Sequence, residues 1–258
     1  MSEVVSYQVV DRVAHITIER PDKRNAMDLE VFAQLAERTG QITEDDEVGA
    51  AVVAGRGGTF SAGLDLALFG SQLTEGVEPG FITRLQAAFT AFEELDVPVI
   101  AAIEGHCLGG GIQLALACHL RAVAPSARLG VLETSWGLIP DLGGSWRLPQ
   151  LVGLGRATEL VLSAREVTAS EARAMGLAEL DLPDQGAQEA AHDLAARLAN
   201  GPAAVRRAPR LLRENLGRDR RSALAAEAAT QLELMAGADF AEAVGARVEG
   251  REPRFEGR

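Results

Sequence analysis

A glycine triplet and two acids share one stretch of the chain, Ala101–Pro149, which reads AAIEGHCLGGGIQLALACHLRAVAPSARLGVLETSWGLIPDLGGSWRLP. The apolar run Val97–Ile103 ends at a turn. Gly109, Gly110 and Gly111 follow, and the helix-forming segment Ile112–Cys118 opens directly on them. Unpaired backbone N–H groups at a helix N-terminus suit a developing negative charge. Glu133 and Asp141 come next, in a segment of mixed polarity. Backbone donors with one or two carboxylates are the parts needed to move a proton beside a carbonyl. The triplet alone is a weak signal, so the other elements must supply the rest.

The elements that would position these groups can be read in order. Tyr7–Val10 and Val13–Ile18 form a hairpin across an Asp11-Arg12 turn. Arg20–Ala26 is a polar loop, and Asp28 caps a helix over Leu29–Ile42. Ala50–Ala54 has the continuous apolar character of a buried parallel strand. A turn, Gly55–Gly58, leads into Phe60–Asp65, and Gly70–Gly80, which lacks periodicity, is read as a mobile loop. Helix Phe81–Leu95, strands Val99–Ile103 and Leu120–Ala124, helices Leu151–Ser163 and Ser170–Met175, and a strand within Leu177–Leu182 follow. Strands separated by helices predict a layered α/β fold with right-handed β–α–β connections. From Gln185 the pattern turns to Ala-rich amphipathic helices, and a boundary near residue 195 separates a core (1–195) from a helical C-terminal region (196–258).

Composition narrows the partners. The chain has 258 residues, 47% hydrophobic and 24% charged, enough for a large core. A net charge of −12 argues against nucleic acid or an anionic membrane as the main partner. Cys107 and Cys118 are read as buried free thiols, and the four histidines lack metal-ligand spacing. No signal-peptide pattern or membrane-length apolar run is present in the sequence, so a cytoplasmic protein is expected.

Several blocks together resemble the crotonase, or enoyl-CoA hydratase/isomerase, superfamily: RPDKRNAM (Arg20–Met27), GRGGTFSAGLDL (Gly55–Leu66), the glycine-rich segment, GLIPDLGGSWRLPQLVG (Gly137–Gly153), ASEARAMGLAE (Ala169–Glu179) and DFAEAVGARVEGREPRF (Asp239–Phe255). The resemblance spans nearly the whole chain. It implies a crotonase-like (ClpP/crotonase) spiral of β–β–α units with a helical C-terminal region that mediates trimerisation. It also implies a homotrimer or dimer of trimers, and an acyl-CoA thioester as substrate. Coenzyme A is then part of the substrate, and no separate cofactor is expected.

By the same resemblance an oxyanion hole falls on the N–H groups of Leu64 and Gly110, with Ala62, Gly63, Asp65 and Gly109 beside them. Hydratases of the family hold a water between two glutamates. Here those positions are Gln113 and Glu133. An amide exchanges no proton at neutral pH, so Gln113 can only hydrogen-bond. Asp141 stands where hydratases usually have glycine, which resembles isomerase-type members. The loop at Lys23, Arg24 and Ala26 is expected to meet the CoA adenine and phosphates, with Arg251 reaching CoA from the C-terminus. Trp136 and Trp146 flank Asp141, where an apolar wall would raise its pKa; Trp136 is placed among the substrate-binding residues, and Trp146 is read as core.

The reading is an enoyl-CoA isomerase-type enzyme with Asp141 as the favoured base and Glu133 as its partner or alternative. A double-bond shift needs one base and a stabilised enolate, with no activated water. The rivals are hydration, with water held by Glu133 and Asp141, and a non-catalytic acyl-CoA-binding protein.

Overall fold

The computed structural model describes residues 3–68, 78–183 and 185–257. Most of the expected loop Gly70–Gly80 lies outside the described residues. In chain order the strands are β1 (Val5–Val10), β2 (Val13–Ile18), β3 (Ala50–Gly55), β4 (Val99–Ile103), β5 (His106–Leu108), β6 (Leu120–Val123), β7 (Arg128–Gly130), β8 (Glu166–Thr168) and β9 (Leu180–Asp181). The helices are α1 (Leu29–Glu44), α2 (Phe81–Glu93), α3 (Gly110–Ala117), α4 (Gly144–Val152), α5 (Leu154–Ser163), α6 (Ala169–Met175), α7 (Ala187–Ala199), α8 (Ala203–Asn215), α9 (Arg220–Ala236) and α10 (Ala238–Glu249).

The first sheet has the order β1-β2-β3-β4-β6-β9. Only β1 and β2 pair antiparallel within it. Asp11 and Arg12 take φ of 49° and 66°, the left-handed pair whose twist matches a two-residue hairpin. Both faces of the central strands are covered, which is why AAVVAG and VIAAI are apolar throughout. Alternate residues serve alternate faces. Ala51, Val53, Val99, Ala101 and Ile103 pack with Phe32, Phe89, Phe92 and Ile112 from α1, α2 and α3. Ala50, Val52, Ala54, Ile100 and Ala102 meet α7 through Ala187, Ala191, Ala195 and Ala199, a four-residue spacing that lines up one helix face. Helix α7 thus crosses residue 195 while packing on the core sheet.

A second sheet, β5-β7-β8, was not anticipated. Its strands have three residues each, too short for any periodicity to register. The chain crosses from β4 to β5 at Gly105 (φ 52°), where a Cβ would lie 2.3 Å from the Gly58 carbonyl oxygen. The pairs β4–β5 and β6–β7 each lead from one sheet into the other. Strand β5 leads directly into Gly109 and α3.

Two local expectations are corrected. The helix expected over Leu151–Ser163 is two helices, α4 starting already at Gly144, broken at Gly153 with φ 79°. Trp146 is not core: it is 52% exposed, because α4 turns Gly144, Arg147, Leu148 and Val152 inward and Trp146 lies off that face. Cys107 and Cys118 are buried free thiols, as expected. In the C-terminal region the buried Asp239 accepts from the N–H groups of Ala203, Glu256 and Gly257 at 2.7, 2.8 and 3.1 Å, tying the tail to the start of α8.

Candidate active site

The loop that follows β2 is pinned to the segment carrying Gly63 and Leu64. Asn25, fully buried with φ 56°, donates to the carbonyls of Arg56 and Thr59 at 2.9 and 2.6 Å, and its Oδ1 accepts from Arg20 N–H. Ser61 Oγ donates to the Asn25 carbonyl at 2.8 Å and accepts from Gly63 N–H at 3.1 Å. Met27 then pairs with Leu64 as a short parallel bridge, its N–H bound to the Gly63 carbonyl and its carbonyl to Asp65 N–H. In a parallel bridge the residue between those two partners turns its own N–H away. Leu64 N–H is therefore free, and no acceptor for it is found among the described residues.

On the other side, Gly109 N–H is bound by the Gly130 carbonyl, so β7 fixes the end of β5. Gly110 is the first residue of α3, and its N–H belongs to the group of helix-start donors that have no intrahelical partner. The two segments touch. A Cβ on Gly63 (φ 104°) would lie 2.9 Å from the Leu108 carbonyl oxygen and 3.4 Å from Gly110 N. A Cβ on Gly110 would lie 3.1 Å from Leu64 Cδ2. Leu64 and Gly110, more than forty residues apart in sequence, are neighbours here.

Gln113, on the first turn of α3 and 1% exposed, has every strong contact committed. Its Nε2 donates to Glu133 Oε1 at 2.7 Å. Its Oε1 accepts from Leu142 N–H at 2.7 Å and from Gly144 N–H at 3.0 Å. Backbone N–H groups can only donate, so this orientation of the amide is forced. Its hydrogen bonds therefore reach distant segments and are not local. A Cβ on Gly144 would lie 2.7 Å from Gln113 Oε1, so the second glycine of DLGG makes room for the amide.

Glu133 opens a short 3-10 turn, Glu133–Trp136, after β7. Its Oε2 is buried without a hydrogen-bond partner, and a Cβ on Gly109 would be 3.7 Å from its Oε1. Burial raises the Glu133 pKa, opposed by its hydrogen bonds and reinforced by the negative charge of Asp141. Asp141 is half-buried and its pKa is also raised, again by burial. It does not cap the following helix: the N-cap of α4 is Gly143, and Gly144 N–H, which an Asp141 cap could take, is bound by Gln113 Oε1. Trp136 is 65% exposed at the end of the 3-10 turn, beside exposed Leu138 and Ile139.

The residues expected at coenzyme A divide into two groups. Lys23, Arg24, Ala26, Ala62 and Asp65 come together: Ala62 N–H binds the Arg24 carbonyl at 2.9 Å, and Ala26 N–H binds the Lys23 carbonyl at 3.1 Å. Asp65 Oδ2 is held by Lys23 Nζ and Arg20 Nη2, each at 2.9 Å, which pulls its pKa down to about 2. Arg24 is exposed, with no side-chain partner among the described residues. Arg251 stands apart, following α10, its guanidinium paired with Glu242 and Glu249 at 2.6 Å each. Asn25, Ser61, Gln86 and Arg147 were missed from sequence. Asn25, Ser61 and Gln86 each bond to a backbone atom of a distant segment, and Arg147 pairs with the distant Glu93; residue type alone gives no signal for either.

Two sheets joined by β–β turns, with glycine-lined backbone donors beside a buried glutamate, define an α/β protein of the crotonase fold. The enoyl-CoA hydratase/isomerase family model matches residues 9–258, and the chain belongs to that family. It is 35% identical over 251 residues to enoyl-CoA hydratase domain-containing protein 2, mitochondrial, of Bos taurus, covering 95% of this chain and 84% of that one. The fold matches the crystal structure of enoyl-CoA hydratase from Bacillus anthracis with a TM-score of 0.91 at 32% identity, over 99% and 100% of the two chains. A Thermobifida fusca YX protein solved in complex with CoA matches with a TM-score of 0.82 at 36% identity, over 90% and 93%. The protein is thus an acyl-CoA enzyme of this family.

Proposed function

We propose that the protein shifts a carbon–carbon double bond in an enoyl-CoA, converting a 3-enoyl to a 2-enoyl thioester by carboxylate proton transfer. The observation that carries this reading is the committed amide of Gln113. At a position where a hydratase places a water-activating glutamate, this chain has a group that takes no proton and whose acceptor is already filled by two N–H groups.

The reaction follows from the remaining groups. The thioester oxygen accepts from Leu64 N–H and Gly110 N–H, which stabilise charge as it builds on that oxygen. One carboxylate removes a proton from the carbon beside the thioester, giving a dienolate. A proton returned two carbons further along re-forms the C=C bond in conjugation. No water is consumed. Because Gln113 Nε2 must donate to Glu133 Oε1, a proton carried by Glu133 sits on Oε2, the oxygen without a partner. Asp141 is the favoured base, and Glu133, which lies nearer Gly109, is its partner or the alternative base. Burial raises the pKa of both acids, which makes each a better proton acceptor than an exposed carboxylate. Lys23, Arg24 and Ala26 meet the CoA moiety in this reading, Trp136 borders the acyl chain, and no cofactor beyond the substrate's own CoA takes part.

The likeness to the Bacillus anthracis enoyl-CoA hydratase favours a second reading, hydration of 2-enoyl-CoA with water held between Glu133 Oε2 and Asp141. Offering 2-enoyl-CoA and 3-enoyl-CoA separately, and following the absorbance of the conjugated thioester, distinguishes them. Turnover of 3-enoyl-CoA without loss of 2-enoyl-CoA supports isomerisation, the reverse outcome supports hydration, and binding with neither reaction removes both. We also propose a homotrimer or dimer of trimers built through residues 196–258, where Leu212, Leu216, Leu232 and Val248 are exposed. Sedimentation equilibrium reading a monomer would overturn that assembly.

A further inference from the structure

We propose that Arg147 is a positioning residue for Asp141: its guanidinium, locked to Glu93, holds the Leu142 carbonyl and so sets the turn that presents the Asp141 carboxylate. The inference rests on the proton-transfer reading above and assigns the control of its geometry.

The turn Asp141–Gly144 is held almost wholly through its backbone, by side chains from three helices. Gln86 Nε2 of α2 donates to the Asp141 carbonyl at 2.6 Å. Gln113 Oε1 of α3 takes the N–H groups of Leu142 and Gly144. Arg147 Nη1 of α4 donates to the Leu142 carbonyl at 3.0 Å. The backbone is thereby fixed while the Asp141 carboxylate is left without a side-chain partner among the described residues.

Arg147 is itself held in place. It is buried, and its Nε and Nη2 donate to Glu93 Oε2 at 2.8 and 2.5 Å. Glu93 is anchored in turn, since Arg213 of α8 donates to its carbonyl and lies 3.8 Å from its Oε1. Gly143 (φ 90°) lies directly over the guanidinium: a Cβ there would be 2.0 Å from Arg147 Nη1. A planar fork can bind a carboxylate on one edge and a carbonyl on another at once, and a lysine ammonium cannot reproduce that pair of contacts. The raised pKa of Asp141 comes from burial, with no contribution from a nearby cation. Arg147 therefore acts on Asp141 by placement.

The test uses the full chain carrying Arg147→Lys, Arg147→Gln, Glu93→Gln and Asp141→Asn, and the double variant Arg147→Gln/Asp141→Asn, assayed with 3-hexenoyl-CoA and 2-hexenoyl-CoA. Misplacing a reacting group by about an ångström costs up to roughly 100-fold. We expect kcat to fall roughly 10- to 100-fold in both Arg147 variants, and less in Glu93→Gln, with KM within about threefold of the unaltered protein. The double variant should be no slower than Asp141→Asn alone, because residues acting through one group do not multiply. Unchanged kcat in folded Arg147 and Glu93 variants, or losses that multiply in the double variant, overturn the positioning role. Glu93→Gln keeps the question decidable if the Arg147 variants do not fold. Full activity in Asp141→Asn, or no turnover of either substrate by the unaltered protein, overturns instead the functional reading, and the positioning role with it.

Discussion

Gln113 Nε2 stands 2.7 Å from Glu133 Oε1, and the opposite end of the same amide holds the turn that bears Asp141. One neutral side chain therefore sets the spacing of the two acids and decides which Glu133 oxygen is open. Replacing it by glutamate keeps an acceptor for Leu142 and Gly144 but sets a second negative charge against Glu133. The Glu133 pKa then rises further, and the acid limb of kcat/KM moves to higher pH. A pH–rate profile with the limb unmoved would show that Glu133 does not titrate in the reaction. Gln113→Leu strands the two N–H groups and Glu133 Oε1, at a cost of about 1–3 kcal/mol for each buried group left unpaired, read as a lower Tm.

The acids themselves should separate activity from stability. Glu133→Gln and Asp141→Asn are each expected to lower kcat by roughly 100- to 10,000-fold. Glu133→Gln should at the same time raise Tm at neutral pH. A carboxyl whose folded-state pKa is raised by burial stabilises the fold fully below its ordinary pKa, about 4.3, and loses that contribution as pH rises through the folded-state value. The amide has no such loss. The Tm advantage of the variant should vanish at about pH 4 and below; an advantage that persists there would contradict burial as the cause.

Gly63→Ala tests the donor pair. At φ 104° a methyl group is strained and would lie 2.9 Å from the Leu108 carbonyl oxygen, pushing Leu64 away from Gly110. Loss of one oxyanion donor costs roughly 100- to 1,000-fold in kcat, and the backbone strain about 1–3 kcal/mol in stability. Wild-type kcat in a destabilised but folded variant would place the reacting oxygen elsewhere.

Asp65 provides an opposite pH signature. Its carboxylate, held by Lys23 and Arg20, titrates at about 2 rather than in the usual range. Its depressed pKa adds stability that is present at neutral pH and is lost as pH falls through about 2. Asp65→Asn should therefore lower Tm at pH 7, with the gap closing as pH falls from about 4 toward 2. A pH-independent gap would mean that packing, not the ion pairs, fixes the loop.

What the sequence determined by itself is what short-range rules can carry. The hairpin at Asp11-Arg12, the cap at Asp28, the buried strands Ala50–Ala54 and Val99–Ile103 and the helix after the glycine triplet all follow from turn chemistry and apolar period. So does the presence of backbone donors near two acids, since residue type states what each group can do. The order of the motif blocks extended this to the family, which the whole-chain match shows. The tertiary structure decided how those groups meet. The strands of the second sheet have three residues each, too short to show a period, and pair only once the chain path brings them together, so that sheet was invisible. Trp146 reads as core by type but lies off the inward face of α4. Gln113 reads as a missing glutamate. Only the fold brings Glu133, Leu142 and Gly144 to its two ends, because hydrogen bonds across twenty to thirty residues depend on chain path, which no local pattern encodes.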